Sequence, residues 1–165
     1  VIGAWGYDSS KRERFAASLL GVILGGNMSS RLFQQIREKL GLCYYISGSH
    51  YANTDEGVFM IRAGIEKERF ELGMNAIYHE IEQIANGNIS EQEYEKAQGF
   101  MTGKTQMGME SSDEIADFLG SQMLLKGSIM TLEEILEEYK KVTLDDLKTV
   151  AKNLARDRLY TYYIS

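Results

Sequence analysis

The chain has 165 residues, 44% of them apolar and 25% charged, a balance that suits one folded domain with its own core and excludes disordered, collagen-like and staple-dependent classes. Eighteen bases against twenty-four acids leave a formal charge of −6, and the bases are scattered apart from Lys11, Arg12 and Arg14, so no dedicated nucleic-acid surface is expected. No apolar run approaches the roughly 20 residues that cross a bilayer, and the one cysteine, Cys43, has no internal disulfide partner.

The chain opens on Val1 inside an expected strand over residues 1–7, which suggests a piece of a longer protein. Ser10 followed by Glu13 reads as a capping box opening a helix over residues 11–24. Gly25-Gly26 ends that helix in a loop. Ser30 is the expected cap of a helix reaching Leu40, with Leu32, Phe33, Ile36 and Leu40 as its buried stripe and Gly41 as its stop. Residues 44–52 read as a strand with Tyr45 and Tyr51 on one face and Ile46 and His50 on the other. Residues 53–57 are a hairpin loop by composition, and residues 58–65 return as a more buried strand. Between 67 and 85, Phe70, Met74, Ile77, Ile81 and Ile84 recur at helical spacing, and Gly87 ends the helix. Three more boxes follow: Ser90 with Glu93, Ser111 with Glu114, and Thr131 with Glu134. Thr143 with Asp146 is a weaker version. A last aromatic strand covers residues 159–164. The order predicts an α+β domain, one sheet with helices packed on one face.

Few residues invite chemistry. His50 and His79 are the only histidines. His79-Glu80-Ile81-Glu82-Gln83 stops one imidazole short of a zinc-binding helix, because Gln83 stands where a second histidine is needed. Cys43 lacks an evident base and reads as a small apolar residue. The carboxylate pairs Glu133-Glu134, Glu137-Glu138 and Asp145-Asp146 suit solvated faces near helix starts. The methionines from Met101 to Met130 suit helix packing better than a binding groove. Arg37 and Tyr44 flank the turn at Gly41. A guanidinium and a phenol both donate hydrogen bonds without taking a proton away, so together they suit a carbonyl or a developing oxyanion. Taken by themselves they read better as a surface arginine, ion-paired with Glu38 or a neighbour, and a sheet tyrosine.

Residues 24–33, Leu-Gly-Gly-Asn-Met-Ser-Ser-Arg-Leu-Phe, and residues 36–44, Ile-Arg-Glu-Lys-Leu-Gly-Leu-Cys-Tyr, change that balance. Together they resemble the signature of the pitrilysin, insulysin and mitochondrial processing peptidase family of zinc metallopeptidases. The likeness is sharp over residues 19–65 and architectural beyond. It implies a ferredoxin-like antiparallel sheet with added helices. It also implies that residues 1–165 are a single domain, the carboxy-terminal half of a two-domain or two-subunit peptidase. Arg37 and Tyr44 match the pair that contacts substrate near the scissile bond, and Gly25, Gly26, Ser29 and Ser30 form the loop expected beside it. The family's inverted zinc motif is missing, and no glutamate follows Glu138 to act as a distant ligand. No metal site is therefore expected in this chain, zinc is expected in the complementary half, and the chain alone is expected to be inactive.

The resulting expectation is a substrate-binding domain of a zinc metalloendopeptidase. The alternative is a non-catalytic peptide-binding or structural subunit of the same family. Expected partners are the amino-terminal zinc-binding half, a peptide substrate and, for the isolated domain, a second copy in a homodimer. Neither nucleic acid nor membrane is expected. The lone cysteine and the lack of a signal-peptide pattern point to a cytoplasmic setting.

Overall fold

A computed structural model describes residues 1–109 and 111–164. Strands β1 (Ile2–Trp5), β2 (Cys43–Ala52), β3 (Gly57–Ile65) and β4 (Tyr160–Thr161) form one antiparallel sheet in the order β2-β3-β1-β4. Read from the other edge this is β4-β1-β3-β2, with helical crossovers between β1 and β2 and between β3 and β4. That is the ferredoxin-like arrangement. Helix α1 (Arg14–Gly21) and two π-helical segments, Val22–Gly26 and Phe33–Lys39, fill the first crossover. Helices α2 (Phe70–Ala85), α3 (Glu91–Met107), α4 (Ser112–Lys126), α5 (Leu132–Lys141) and α6 (Leu144–Ala151) fill the second.

The helices lie on one face of the sheet. Ala4, Ile46 and Phe59 point into the core there, against Leu19, Leu20 and Leu24 of the first crossover and Ile77, Ile81 and Ile84 of α2. On the opposite face Trp5, Tyr45, Tyr51 and Tyr160 stay exposed. The alternation expected along β2 is observed, with Ile46 buried and Tyr45 and Tyr51 outside. The α2 stripe and its Gly87 stop are also observed; Gly87 takes a φ of +80°, which few residues but glycine adopt.

The capping boxes at Ser90, Ser111, Thr131 and Thr143 are all complete, the supposedly weaker Thr143–Asp146 version included. Each satisfies two amides that the helix itself cannot, for about 1 kcal/mol. The box at Ser10 does not form. Asp8 Oδ1 accepts the Ser10 amide at 2.7 Å and the Ser10 hydroxyl at 2.5 Å, so Glu13 becomes the cap and α1 starts at Arg14. A short local loop thus competes successfully with the helix for the serine. The last strand is shorter than expected, although Val1 and Tyr162 exchange main-chain hydrogen bonds just beyond it.

The helix expected over residues 30–40 is largely π-helical. Its wider turn delays the buried face by an extra residue. Leu32 and Ile36 are buried, whereas Leu40 is left 51% exposed and drops out of the expected stripe. Nor is Ser30 its side-chain cap: the Ser30 hydroxyl donates to Asn27 O at 2.6 Å, and Asn27 Oδ1 accepts the Ser29 amide at 2.8 Å. Asn27 organises this turn.

Candidate functional site

Three features place Arg37 and Tyr44 at one end of the sheet. Arg37 sits in the last turn of the Phe33–Lys39 segment. Gly41, with a φ of +57°, reverses the chain. The β2–β3 register then slips between Cys43 and Tyr45, and Tyr44 falls in that irregularity. A bulge of this kind re-aims a side chain out of the regular alternation, and bulges concentrate beside active sites. Tyr44 is accordingly 72% exposed.

The contacts of the two residues are separate. The Arg37 guanidinium lies over the Phe33 ring at 4.8 Å and enters no ion pair among the described residues. The Tyr44 hydroxyl donates to Glu66 Oε1 at 2.9 Å, and that bond holds the phenol above its ordinary pKa. Between them lies Cys43, whose thiol is pushed up by burial while the nearby Arg37 charge pulls it down. The guanidinium therefore acts electrostatically on the residue next to Tyr44. Glu66 was not evident as a participant. The hairpin register could have suggested it, because Cys43 opposes Ile65.

The expected loop divides into two kinds of residue. Gly26 and Ser29 are exposed. Gly25 and Ser30 are buried, Ser30 in its bond to Asn27. Gly25 packs on β2 so tightly that a Cβ there would lie 2.2 Å from Gly48 N and 2.7 Å from Gly48 Cα.

Arg31, in the same stretch, has a different job. Its Nη2 donates to Glu93 Oε2 at 2.8 Å and its Nε to Glu93 Oε1 at 2.5 Å, and Nη2 also reaches Asn88 O. This fork ties the turn after Asn27 to the start of α3, because Glu93 also closes the Ser90 capping box. Burial would raise the Glu93 carboxyl, but the bonds from Arg31 and Ser90 outweigh it and hold the pKa at about 2.

No group of three histidine, cysteine or acidic side chains able to hold a metal occurs among the described residues. His79 is exposed on α2, and Gln83 accepts a hydrogen bond from Asn88 Nδ2 at 2.8 Å. His50 lies on another element, in β2, and its Nε2 accepts the Tyr7 amide at 3.1 Å. These donors do not fit a zinc ion.

A family match defines the class: a peptidase-like domain with no metal cluster of its own among the described residues. The family model described as the peptidase M16 inactive domain matches residues 1–100, and the chain belongs to that family. A Streptomyces coelicolor protein named an uncharacterized zinc protease is 30% identical over 93% of this chain, which covers 34% of that protein. The chain thus spans about a third of the length of the curated relatives it matches. A conserved protein of Enterococcus faecalis superposes with a TM-score of 0.80 at 25% identity, over 92% of this chain and 36% of that one. The peptidase M16 inactive domain from Pseudomonas fluorescens superposes with a TM-score of 0.83 at 24% identity, over 96% of this chain and 38% of that one, and bears on the fold alone. No helix among the described residues is long and apolar enough to cross a membrane.

Proposed function

We propose that this domain is the carboxy-terminal, substrate-contacting half of a zinc metalloendopeptidase. Zinc, held in a complementary half, would supply the activated water; this half brings hydrogen-bond donors. Arg37 and Tyr44 bind the substrate carbonyl and stabilise the negative charge that develops on it. The Arg37 guanidinium enters no ion pair among the described residues, and the Tyr44 hydroxyl would turn from Glu66 to donate to substrate; neither gives up a proton in doing so. Gly26 and Ser29, the exposed part of the adjoining loop, border the peptide. The observation that carries this reading is the placement of an exposed arginine and a bulged, exposed tyrosine on either side of one glycine turn. The names of the relatives support the zinc-protease setting.

The test uses the full-length protein and a peptide substrate. Tyr44→Phe and Arg37→Ala should each lower kcat about tenfold or more, less than a fully enclosed oxyanion donor would because both groups are exposed in this half. Their melting temperatures should stay near that of the unsubstituted protein. Undiminished turnover in both variants would sink the assignment.

The Tyr44–Glu66 hydrogen bond favours a second reading, a peptide-binding or structural subunit in which the phenol serves the local fold. Full-length protein that binds peptides and never cleaves them would support it. A cytoplasmic setting accords with either reading, since Cys43 is a free thiol, and a homodimer of the isolated domain accords with the exposed aromatic face of the sheet.

A further inference from the structure

A cavity of about 590 Å³ opens between the segment leading into α1 and the end of α4, far in sequence from the turn at Gly41. Four cationic side chains line it, Lys11, Arg12, Arg14 and Lys126, with a single carboxylate, Glu138. In a chain of net charge −6 that is a local inversion of sign.

Glu138 does not neutralise the inner pair. It accepts hydrogen bonds from Arg12 Nε at 3.0 Å and from Lys141 Nζ at 2.7 Å. The Arg14 guanidinium lies over the Phe15 ring at 4.1 Å and touches Met130 Sδ at 3.2 Å, neither of which carries a countercharge. Neither Arg14 nor Lys126 enters an ion pair among the described residues. Burial pushes Arg14 down from its ordinary range, with Tyr139 and Glu138 opposing at longer range. Burial, and then Arg14 itself, push Lys126 down. Arg14 is half-buried and unpaired, with the like charge of the exposed Lys126 beside it, an arrangement that costs free energy which an anion between them would recover. Arg12 already has its carboxylate, whereas Lys11, Arg14 and Lys126 enter no ion pair among the described residues, and of these Arg14 and Lys126 stand close enough to repel each other.

We propose that this cavity binds a small phosphate-class dianion between Arg14 and Lys126. The planar Arg14 fork offers two parallel donors to phosphate oxygens, and Lys126 supplies a compact charge opposite. Lys11 at the rim and Ser128 in the wall add donors. Two unpaired cations match a dianion better than the single charge of a carboxylate. The site is independent of the peptidase reading, because its readout is binding rather than turnover.

The experiment titrates inorganic phosphate into the full-length protein by calorimetry at low salt, with acetate as the monoanionic comparison. Lys126 lies exposed at a helix end, so Lys126→Met should fold normally. It should weaken phosphate binding by about tenfold, as loss of one charge-assisted contact does. Arg14→Gln should weaken it at least as much, and added salt should weaken it in the unsubstituted protein. Acetate should bind about tenfold more weakly than phosphate or not at all. Phosphate affinity unchanged in Lys126→Met would overturn the proposal, because any phosphate held elsewhere in the protein is indifferent to that lysine. So would acetate binding as tightly as phosphate, or no phosphate binding at millimolar concentration.

Discussion

Replacing Gly25 by alanine should destabilise the protein by at least about 3 kcal/mol, whereas the same change at Gly26 should cost under about 1 kcal/mol. The neighbouring glycines differ in what surrounds them. A Cβ on Gly25 would lie 2.2 Å from Gly48 N and 2.8 Å from Ser47 C, all main-chain atoms of β2 that no rotamer change can move. A Cβ on Gly26 would meet only the Val22 side chain and the Gly21 carbonyl, at 3.2 Å or more. The π-helical stretch Val22–Gly26 must separate from β2 to admit the methyl group at Gly25, and Leu24 and Ile46 would lose part of their burial with it. Thermal unfolding measures the difference. For a domain of this size the expected fall in Tm is about 6–12 °C for Gly25→Ala. Equal Tm values for the two variants would show that the strand yields more easily than close packing allows.

Arg31→Met should cost about 2–3 kcal/mol, below the range for a wholly buried pair because both partners keep some solvent. The Arg31 and Glu93 side chains are 17% and 27% exposed. The substitution strands a carboxylate that also closes the α3 cap. The clamp has a pH signature too. Glu93 falls from an unfolded value of 4.5 to about 2, so its contribution is complete above pH 4.5 and disappears as pH falls toward 2. His50 adds a separate loss. Burial lowers its pKa from 6.5 to about 4, so its neutral, Tyr7-bonded state supports the fold fully above pH 6.5, and that support fades as pH falls toward 4. In both windows the unfolded chain binds more protons, so stability rises with pH. Urea titrations across pH 2–7 should show the two stretches. His50→Gln, which keeps an acceptor for Tyr7, should flatten only the upper one, and Arg31→Met only the lower. A single profile shared by all three proteins would contradict both assignments.

Much of the fold was legible in the residues. The boxes at Ser90, Ser111 and Thr131 carry their structural cause within four residues, so the helix starts they mark were readable. The Ser10 box failed for an equally local reason, since Asp8 accepts both the amide and the hydroxyl of the serine. The π-helical form of Phe33–Lys39 was not legible, because nothing in the residue pattern of the segment separates an i→i+5 turn from an i→i+4 one. Arg37 and Tyr44 could be named from their motif, yet the bulge at Tyr44 and its bond to Glu66 come from pairing across the hairpin. Gly25 was assigned to a loop on composition, and only its distance from Gly48 reveals it as a packing residue. Arg14 and Lys126 stand 112 positions apart, and no sequence pattern links them.

The one-sided sheet makes the assembly observable. The chain has a single tryptophan, Trp5, which is 59% exposed on the face away from the helices. Indole emission shifts to shorter wavelength when water leaves the ring, so this side chain is a built-in optical reporter for that face and for no other. Steady-state fluorescence of the domain with and without a tryptophan-free partner would register whether other protein comes to lie over β1, without any label. Iodide quenching of the same emission would measure how completely that cover excludes solvent.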